Sequence, residues 1–345
     1  MSRGYSVAVV GATGAVGGEF LRLFEERGFP VSSLRLLASE RSVGKKMAFK
    51  GQDLIVEEAT PGAFAGVDLA FFSAGATRSK ALVPAALAAG AAVFDNSSAF
   101  RMDPDVPLVV PEVNGDEVRP GQKMYAVPNC TAIILLVAVN PLRRLGKIDR
   151  LIVSTYQSAS GGGAGMMREL ESQTKAALDP SLEHSRNAAY PPYAFNLFSH
   201  NTAINEHGYN DEEWKVIKET RKILGLPDLR VNVTCVRVPV LRAHSETVTI
   251  EFAGDAPSEE AVREALSKAP GVRVVDDRAN NRFPTPLDAS GQGDVLVGRI
   301  RKDVSHPGAI SMFIAGDQLL KGAALNAVQI AERYVEVSQP VGKAV

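Results

Sequence analysis

Apolar and polar positions follow two different rhythms along this chain. In the first third, short continuous apolar runs alternate with stretches of helical spacing. Ser6-Val7-Ala8-Val9-Val10 is the first run, of buried-strand type, and Glu19 to Arg27 follows it with helical spacing up to Gly28. Leu34 to Ala38, Asp53 to Glu57, Asp68 to Phe72, Ala91 to Asp95, Leu108 to Glu112 and Met124 to Val127 read as further strands, with an alanine-rich helix over Lys80 to Ala89. Strand, helix and strand in alternation predict an α/β domain with a parallel, doubly wound sheet.

Beyond Arg150 the rhythm changes. Arg150 to Tyr156, Val231 to Val238, Thr247 to Phe252, Val272 to Val275, Val295 to Ile300 and Ile310 to Asp317 read as strands. Few helices separate them: one from Met166 to Ala177, one behind the N-cap Asn210-Asp211, and one from Ser258 to Lys268. A mixed or antiparallel sheet in a second, α+β domain is the expectation. Asp317-Gln318 caps a last helix, through about Tyr334, that is expected to pack back on the first domain. The predicted division is 1–129 plus 318–345 for the first domain and 130–317 for the second. Residues 179–211 have no period and read as an extended connection or oligomer arm.

Composition narrows the classes. A hydrophobic share of 45% supports a packed core, and a net charge of -1 gives no reason to expect nucleic acid or an anionic membrane. The apolar run at 131–139 is broken by Asn140-Pro141, too short for a membrane span. Cys130 and Cys235 give neither a disulfide framework nor a zinc pattern. No signal peptide and no metal are expected, and the cytoplasm is the expected compartment.

The candidate chemistry lies where strands end. Gly11-Ala12-Thr13-Gly14-Ala15-Val16-Gly17 sits between the first strand and the first helix, where glycines let a backbone approach a pyrophosphate at a helix N-terminus. The second strand ends in Ser39-Glu40-Arg41-Ser42. Ser39, Arg41 and Ser42 suit a 2′-phosphate, which favours NADP over NAD, while Glu40 counts against it and an ordinary solvated loop is the alternative. Ser73 and Gly75, small residues at another strand end, leave room for a cofactor. Arg101, just past a strand end, is either a phosphate or carboxylate clamp or a plain surface arginine.

Cys130 stands at a strand-to-helix turn, between Pro128-Asn129 and the apolar run from Ala132 to Val139. Unpaired N–H groups and the helix dipole there favour a thiolate; a small buried cysteine is the plainer reading. Gln157-Ser158-Ala159-Ser160-Gly161-Gly162-Gly163 forms a glycine-rich loop at a helix start, an anion cradle or a mobile loop over a ligand. Glu212 and Lys215 share a helix face, by default as a surface ion pair. Arg237 breaks an apolar alternation and needs a partner. His244, at a strand end, is by default structural.

A dinucleotide site, a thiolate and a downstream base make one consistent reaction. The thiolate adds to an aldehyde, a base takes the hydroxyl proton as hydride leaves, and the resulting thioester is cleaved by an acyl acceptor. With inorganic phosphate as acceptor the product is an acyl phosphate.

The motifs together resemble the aspartate-β-semialdehyde dehydrogenase family of bacterial type, along nearly the whole chain. The resemblance rests on Gly11 to Gly17, Pro128-Asn129-Cys130-Thr131, Gln157 to Gly161, Glu212-Glu213-Trp214-Lys215, and Arg237-Val238-Pro239 with Leu241-Arg242-Ala243-His244-Ser245. It implies a Rossmann-type domain followed by a catalytic and dimerisation domain. It implies that Cys130 is the nucleophile, His244 the acid/base and Gln157 the residue orienting the acyl intermediate. Arg237 then takes the substrate carboxylate, Glu212 the amino group, and Arg101 and Lys215 the phosphate. Thr13 to Val16, Ser160, Gly161 and Gln318 fall on cofactor contacts. The implied reaction is NADPH-dependent reductive dephosphorylation of 4-phospho-L-aspartate to the semialdehyde, on the diaminopimelate route to lysine and on the routes to threonine and methionine, in a homodimer or homotetramer. N-acetyl-γ-glutamyl-phosphate reductase shares the chemistry, but its cysteine is followed by an aromatic residue and proline, unlike Asn129-Cys130-Thr131. A catalytically silent dinucleotide-binding paralogue is the rival from another class; it would have lost Cys130 or His244.

Overall fold

The computed structural model describes residues 4–179, 181–182, 191–200 and 202–338. The chain forms two compact units, Met1–Asn129 with Ala323–Val345, and Cys130–Gly322.

The first unit is built on a seven-stranded sheet. Its strands are β1 (Tyr5–Val10), β2 (Val31–Ala38), β3 (Lys46–Phe49), β4 (Gln52–Glu58), β5 (Leu69–Phe72), β6 (Ala92–Asp95) and β7 (Met124–Ala126), in the order β3-β4-β2-β1-β5-β6-β7. All neighbours pair parallel except the β3–β4 edge hairpin. Sequence periodicity missed β3, an edge strand of only four residues. Its turn is Lys50-Gly51, both at positive φ (48° and 74°), which matches the twist of a two-residue hairpin. The expected strand Leu108 to Glu112 is corrected: Leu108 makes an isolated parallel bridge to Ala126, and the chain turns helical at α3 (Pro111–Asn114). Pro111 has no N–H for a ladder and suits the first helical position.

Helices α1 (Ala15–Glu26) and α2 (Ala76–Ala88) connect parallel strands. Phe71 centres the core, with ring centroids 5.0–5.2 Å from those of Phe20, Phe24 and Phe94. Full burial of each such ring is worth about 1.5–3 kcal/mol. The last helix, α9 (Leu325–Ser338), belongs to this unit. Tyr334 packs on Phe94 and Tyr125, and Glu332 pairs at 2.7 Å with Arg27, the C-cap of α1. A π-helical turn, Leu320–Ala324, precedes α9.

The second unit is a mixed sheet. Its strands are β8 (Ile148–Gln157), β9 (Phe198–Ser199), β10 (Arg230–Arg237), β11 (His244–Phe252), β12 (Val272–Val274), β13 (Val295–Lys302) and β14 (Ala309–Gly316), ordered β12-β13-β14-β11-β8-β10-β9. β8 and β10 run parallel, and β11 is antiparallel to both β8 and β14. Helices α4 (Cys130–Val139), α5 (Gly163–Leu178), α6 (Asp211–Leu224), α7 (Glu259–Ser267) and α8 (Pro286–Ala289) complete it. Every α4 residue after Cys130 is buried, as expected of a helix apolar on all sides. The stretch 179–211 lies partly outside the described residues; within it, β9 adds an edge strand to β10. Among the described residues, no helix is long and apolar enough to cross a membrane.

Candidate active site

In the first unit, the residues expected to hold a cofactor gather at the C-terminal ends of parallel strands. Gly14 is the N-cap of α1 and offers no side-chain cap, so the first-turn N–H groups have no such partner. Gly11 has φ 89°, and a Cβ there would lie 2.3 Å from Ser73 O. A Cβ on Gly17 would lie 2.2 Å from Ala12 O. Only hydrogen fits at these two positions, whereas Gly14 meets nothing nearer than 3.2 Å. Thr13 Oγ1 donates to Ser42 Oγ at 3.2 Å and ties the glycine loop to the turn that carries Ser39 and Arg41. Ser73 N–H donates to Val10 O, and Gly75, at φ 84°, caps α2.

A cavity of about 420 Å³ opens at the end of β2, lined by Ser39, Glu40, Arg41, Glu58 and Arg78 among others. Arg78, on α2, is a second cation there that the sequence reading did not single out. These features fit a dinucleotide: an uncapped helix start for the pyrophosphate, an obligate-glycine floor and a cavity beyond the second strand that carries two arginines beside two glutamates. Arg101 is 8% exposed and points inward: Nε donates to Val127 O at 2.9 Å and Nη2 to Asn96 O at 2.8 Å. The guanidinium is thus fixed by backbone carbonyls at the end of β6, and the free surface arginine is ruled out.

The second unit brings the remaining candidates together on the buried face of its sheet. Gln157 ends β8, Arg237 ends β10 opposite it, and His244 starts β11. All three are buried. Glu246, Thr155 and Cys235 form the next row inward, since Thr155 pairs with both.

His244 is enclosed completely. Ser158 N–H donates to its Nδ1 at 3.0 Å, and Ser158 Oγ lies 3.0 Å from the same nitrogen. A backbone N–H can only donate, so Nδ1 is an acceptor and the ring carries its proton on Nε2. Burial, then the Arg237 charge, hold the imidazole neutral well below its ordinary range. Nε2 is buried and has no hydrogen-bond partner among the described residues. Ala243, just before it, has φ 70°, a left-handed conformation costing an alanine about 1 kcal/mol. Gln318 holds that turn: Oε1 accepts from Ala243 N–H at 2.9 Å, and Nε2 donates to Ser160 Oγ.

Cys130 is the first residue of α4 and partly exposed. The π-helical turn passes close by. A Cβ on Gly322 would lie 2.9 Å from Cys130 Cβ and 3.2 Å from Gln318 Cβ. Contacts therefore run from Cys130 through Gly322 and Gln318 to the Ala243–His244 turn, within one unit. Gly161 closes the other side, where a Cβ would lie 2.9 Å from both His244 Cε1 and Arg237 Nη1.

Helix α6 supplies the charged wall. Asn210 and Glu213 form a reciprocal capping box, and Glu213 Oε1 also accepts from Cys235 N–H at 3.0 Å. That bond pins the helix start to β10 and aims Glu212 inward. Glu212 is 8% exposed, so the expected surface ion pair is corrected. Its Oε1 accepts from Gln157 Nε2 at 3.2 Å and its Oε2 lies 3.6 Å from Lys215 Nζ. Arg237 finds its partners in Ser158 O and His200 Nε2, both at 2.6 Å. Ser158, Gly322 and His200 were not singled out in the sequence. Their roles come from pairings across dozens of residues, and no local pattern marks them.

The chain is similar to known proteins along nearly its whole length. The family model described as semialdehyde dehydrogenase, NAD binding domain, matches residues 6–120, and the one described as semialdehyde dehydrogenase, dimerisation domain, matches residues 139–321. An aspartate-semialdehyde dehydrogenase of Synechocystis sp. is 52% identical over 330 residues, covering 96% of this chain and 97% of that protein. The crystal structure of aspartate semialdehyde dehydrogenase II of Vibrio cholerae, complexed with ASA, is 41% identical with a TM-score of 0.92, covering 97% of this chain and 99% of that one. The Candida albicans enzyme, crystallised with NADP, is 27% identical with a TM-score of 0.76, covering 97% and 100%. A nicotinamide dinucleotide domain and a dimerisation domain, matched in order, with full-length relatives at this identity, place the chain in the aspartate-semialdehyde dehydrogenase family.

Proposed function

We propose that the chain interconverts 4-phospho-L-aspartate and L-aspartate 4-semialdehyde, with NADPH as reductant and a thioester at Cys130 as intermediate. The observation that carries this reading is the close approach of Cys130 and Gln318 at Gly322, with Gln318 bonded to the backbone of the turn that leads into His244. Cys130 Sγ attacks the acyl phosphate carbon and phosphate leaves. The cofactor, when bound, supplies the hydride that reduces the resulting thioester. His244, neutral with its proton on Nε2, holds the proton exchanged at the substrate oxygen. Collapse of the hemithioacetal releases the aldehyde and restores the thiol. Gln157 orients the acyl group. Arg237 takes the substrate carboxylate and Glu212 its amino group, while Lys215 and Arg101 take the phosphate.

NADP is favoured over NAD by Arg41 and Arg78, which line one cavity at the end of β2. Gly11, Thr13, Gly14, Ala15 and Val16 hold the pyrophosphate end, with Ser39, Ser42, Ser73 and Gly75 beside them; Ser160, Gly161 and Gln318 are the further cofactor contacts that the family resemblance implies. The same reading places the enzyme in the cytoplasm as a homodimer or homotetramer, on the routes to lysine, threonine and methionine.

The test is NADPH formation from aspartate semialdehyde and NADP, with and without inorganic phosphate. Phosphate-dependent formation is expected. No formation with this substrate, but formation with N-acetylglutamate semialdehyde, would overturn the assignment.

A further inference from the structure

We propose that His200 is a positioning residue that locks the guanidinium of Arg237 for the substrate carboxylate. The inference rests on the assignment of Arg237 to that carboxylate.

The backbone places His200 through the edge strand. In β9, Ser199 pairs with Val236 and Phe198 with Arg237, and His200 N–H donates to Cys235 O at 3.2 Å. The imidazole turns toward the site, with Nε2 2.6 Å from Arg237 Nη2. An arginine has donors only, so Nε2 is the acceptor and the ring is neutral, with its proton on Nδ1. The surroundings agree. Burial pushes the imidazole down to about 4, Arg237 and Lys215 push the same way, and Glu212 alone among the named charges opposes them. His200 thus lies among the charges assigned to the substrate, in a segment where the sequence showed no period.

A planar fork held at one nitrogen still turns about that bond. Ser158 O holds Nη1 and His200 holds Nη2. Two points fix the guanidinium plane and therefore the direction of every remaining N–H. A fixed fork binds a carboxylate without losing that freedom on association. The ring is kept although its Nδ1 is buried with no hydrogen-bond partner among the described residues, a penalty that leucine would not bring. A packing role alone does not explain that choice.

The experiment compares KM and kcat for aspartate semialdehyde, phosphate and NADP in full-length His200→Leu, His200→Gln and Arg237→Leu. Gln offers an acceptor oxygen at about the reach of Nε2. His200→Leu is expected to raise KM for the semialdehyde on the order of 10-fold. Its kcat should fall less than that, and KM for phosphate and NADP should stay near the wild type. His200→Gln is expected to recover most of the loss. Arg237→Leu should raise the same KM at least as much. An Arg237→Leu enzyme with unchanged KM would overturn the carboxylate assignment. A normal KM in His200→Leu beside a raised one in Arg237→Leu would overturn the role of His200 alone. Equal impairment in the Leu and Gln variants, or losses spread over all three substrates, would also overturn it. If His200→Leu does not fold, His200→Gln decides: a large rise in its semialdehyde KM contradicts the proposal.

Discussion

The glycine loop of the first unit and the polar end of the second sheet are built in opposite ways. The loop works by leaving side chains out. At Gly11 and Gly17 a single methyl group would meet backbone oxygen at 2.2–2.3 Å. The groups it offers are backbone N–H at a helix start. The second site is crowded with side chains that hold one another: Ser158 on His244, Gln318 on Ala243, Gln157 on Glu212, His200 on Arg237. A backbone-built site fails when atoms are added, and a side-chain-built site fails when partners are removed. A bound cofactor needs shape and a dipole, whereas covalent chemistry needs a nucleophile and a proton donor at fixed points.

The largest effect expected from breaking this contrast is at the nucleophile. Cys130→Ser should lower turnover by at least about 10³-fold, while cofactor binding, read by fluorescence titration, stays intact. Turnover near the wild type would rule out the thioester route. Next come the glycines. Gly11→Ala and Gly17→Ala should raise KM for NADP on the order of 10-fold or more, because backbone must move. Gly14→Ala, with nothing nearer than 3.2 Å, should stay within about threefold. Equal effects at all three would mean that the loop does not bind through close approach. Lys215→Ala should raise KM for phosphate by roughly 3- to 10-fold with the semialdehyde KM little changed. An unaltered phosphate dependence would reduce Lys215 to the partner of Glu212.

The smallest effect concerns Glu246, two residues from His244 on the same face. It is fully buried, neither oxygen has a hydrogen-bond partner among the described residues, and burial holds its carboxyl well above the usual range. Burial favours the protonated acid in the fold, whereas in the unfolded chain the carboxyl ionises in its ordinary range. Because the folded pKa is the raised one, the contribution to stability is full below the unfolded pKa and is lost as pH rises from there through the folded pKa. Glu246→Gln removes the loss. Its Tm relative to the wild type should therefore improve by roughly 2 °C or more between pH 5 and pH 8. A difference independent of pH would show that Glu246 is ionised in the folded protein.

The same contrast explains which parts were legible in the sequence. Gly11 to Gly17 and Cys130 sit at strand-to-helix junctions, and such junctions are local: an apolar run, a turn residue and a helical stretch announce them. The order of elements in both units followed from the change of rhythm near Arg150. What stayed hidden depends on register. Ser158 reaches His244 across 86 positions and His200 reaches Arg237 across 37, so each bond exists only once β8, β10, β11 and β9 have paired. Glu212 looked like one half of a surface pair because its burial depends on the bond from Glu213 to Cys235, not on helix spacing. The hairpin strand β3 was missed because four residues, Lys46 to Phe49, are too few to show an alternation.

The two cysteines give the most direct test. Cys130 starts a helix and is partly exposed, whereas Cys235 is enclosed in β10 and burial pushes its thiol up. The decisive measurement is peptide mass spectrometry after mixing the enzyme with aspartate semialdehyde and NADP in the absence of phosphate. The account predicts an aspartyl adduct on the Cys130 peptide, none on the Cys235 peptide, and its loss when phosphate is added. NADPH formation with no adduct on Cys130, or an adduct on Cys235, would contradict it.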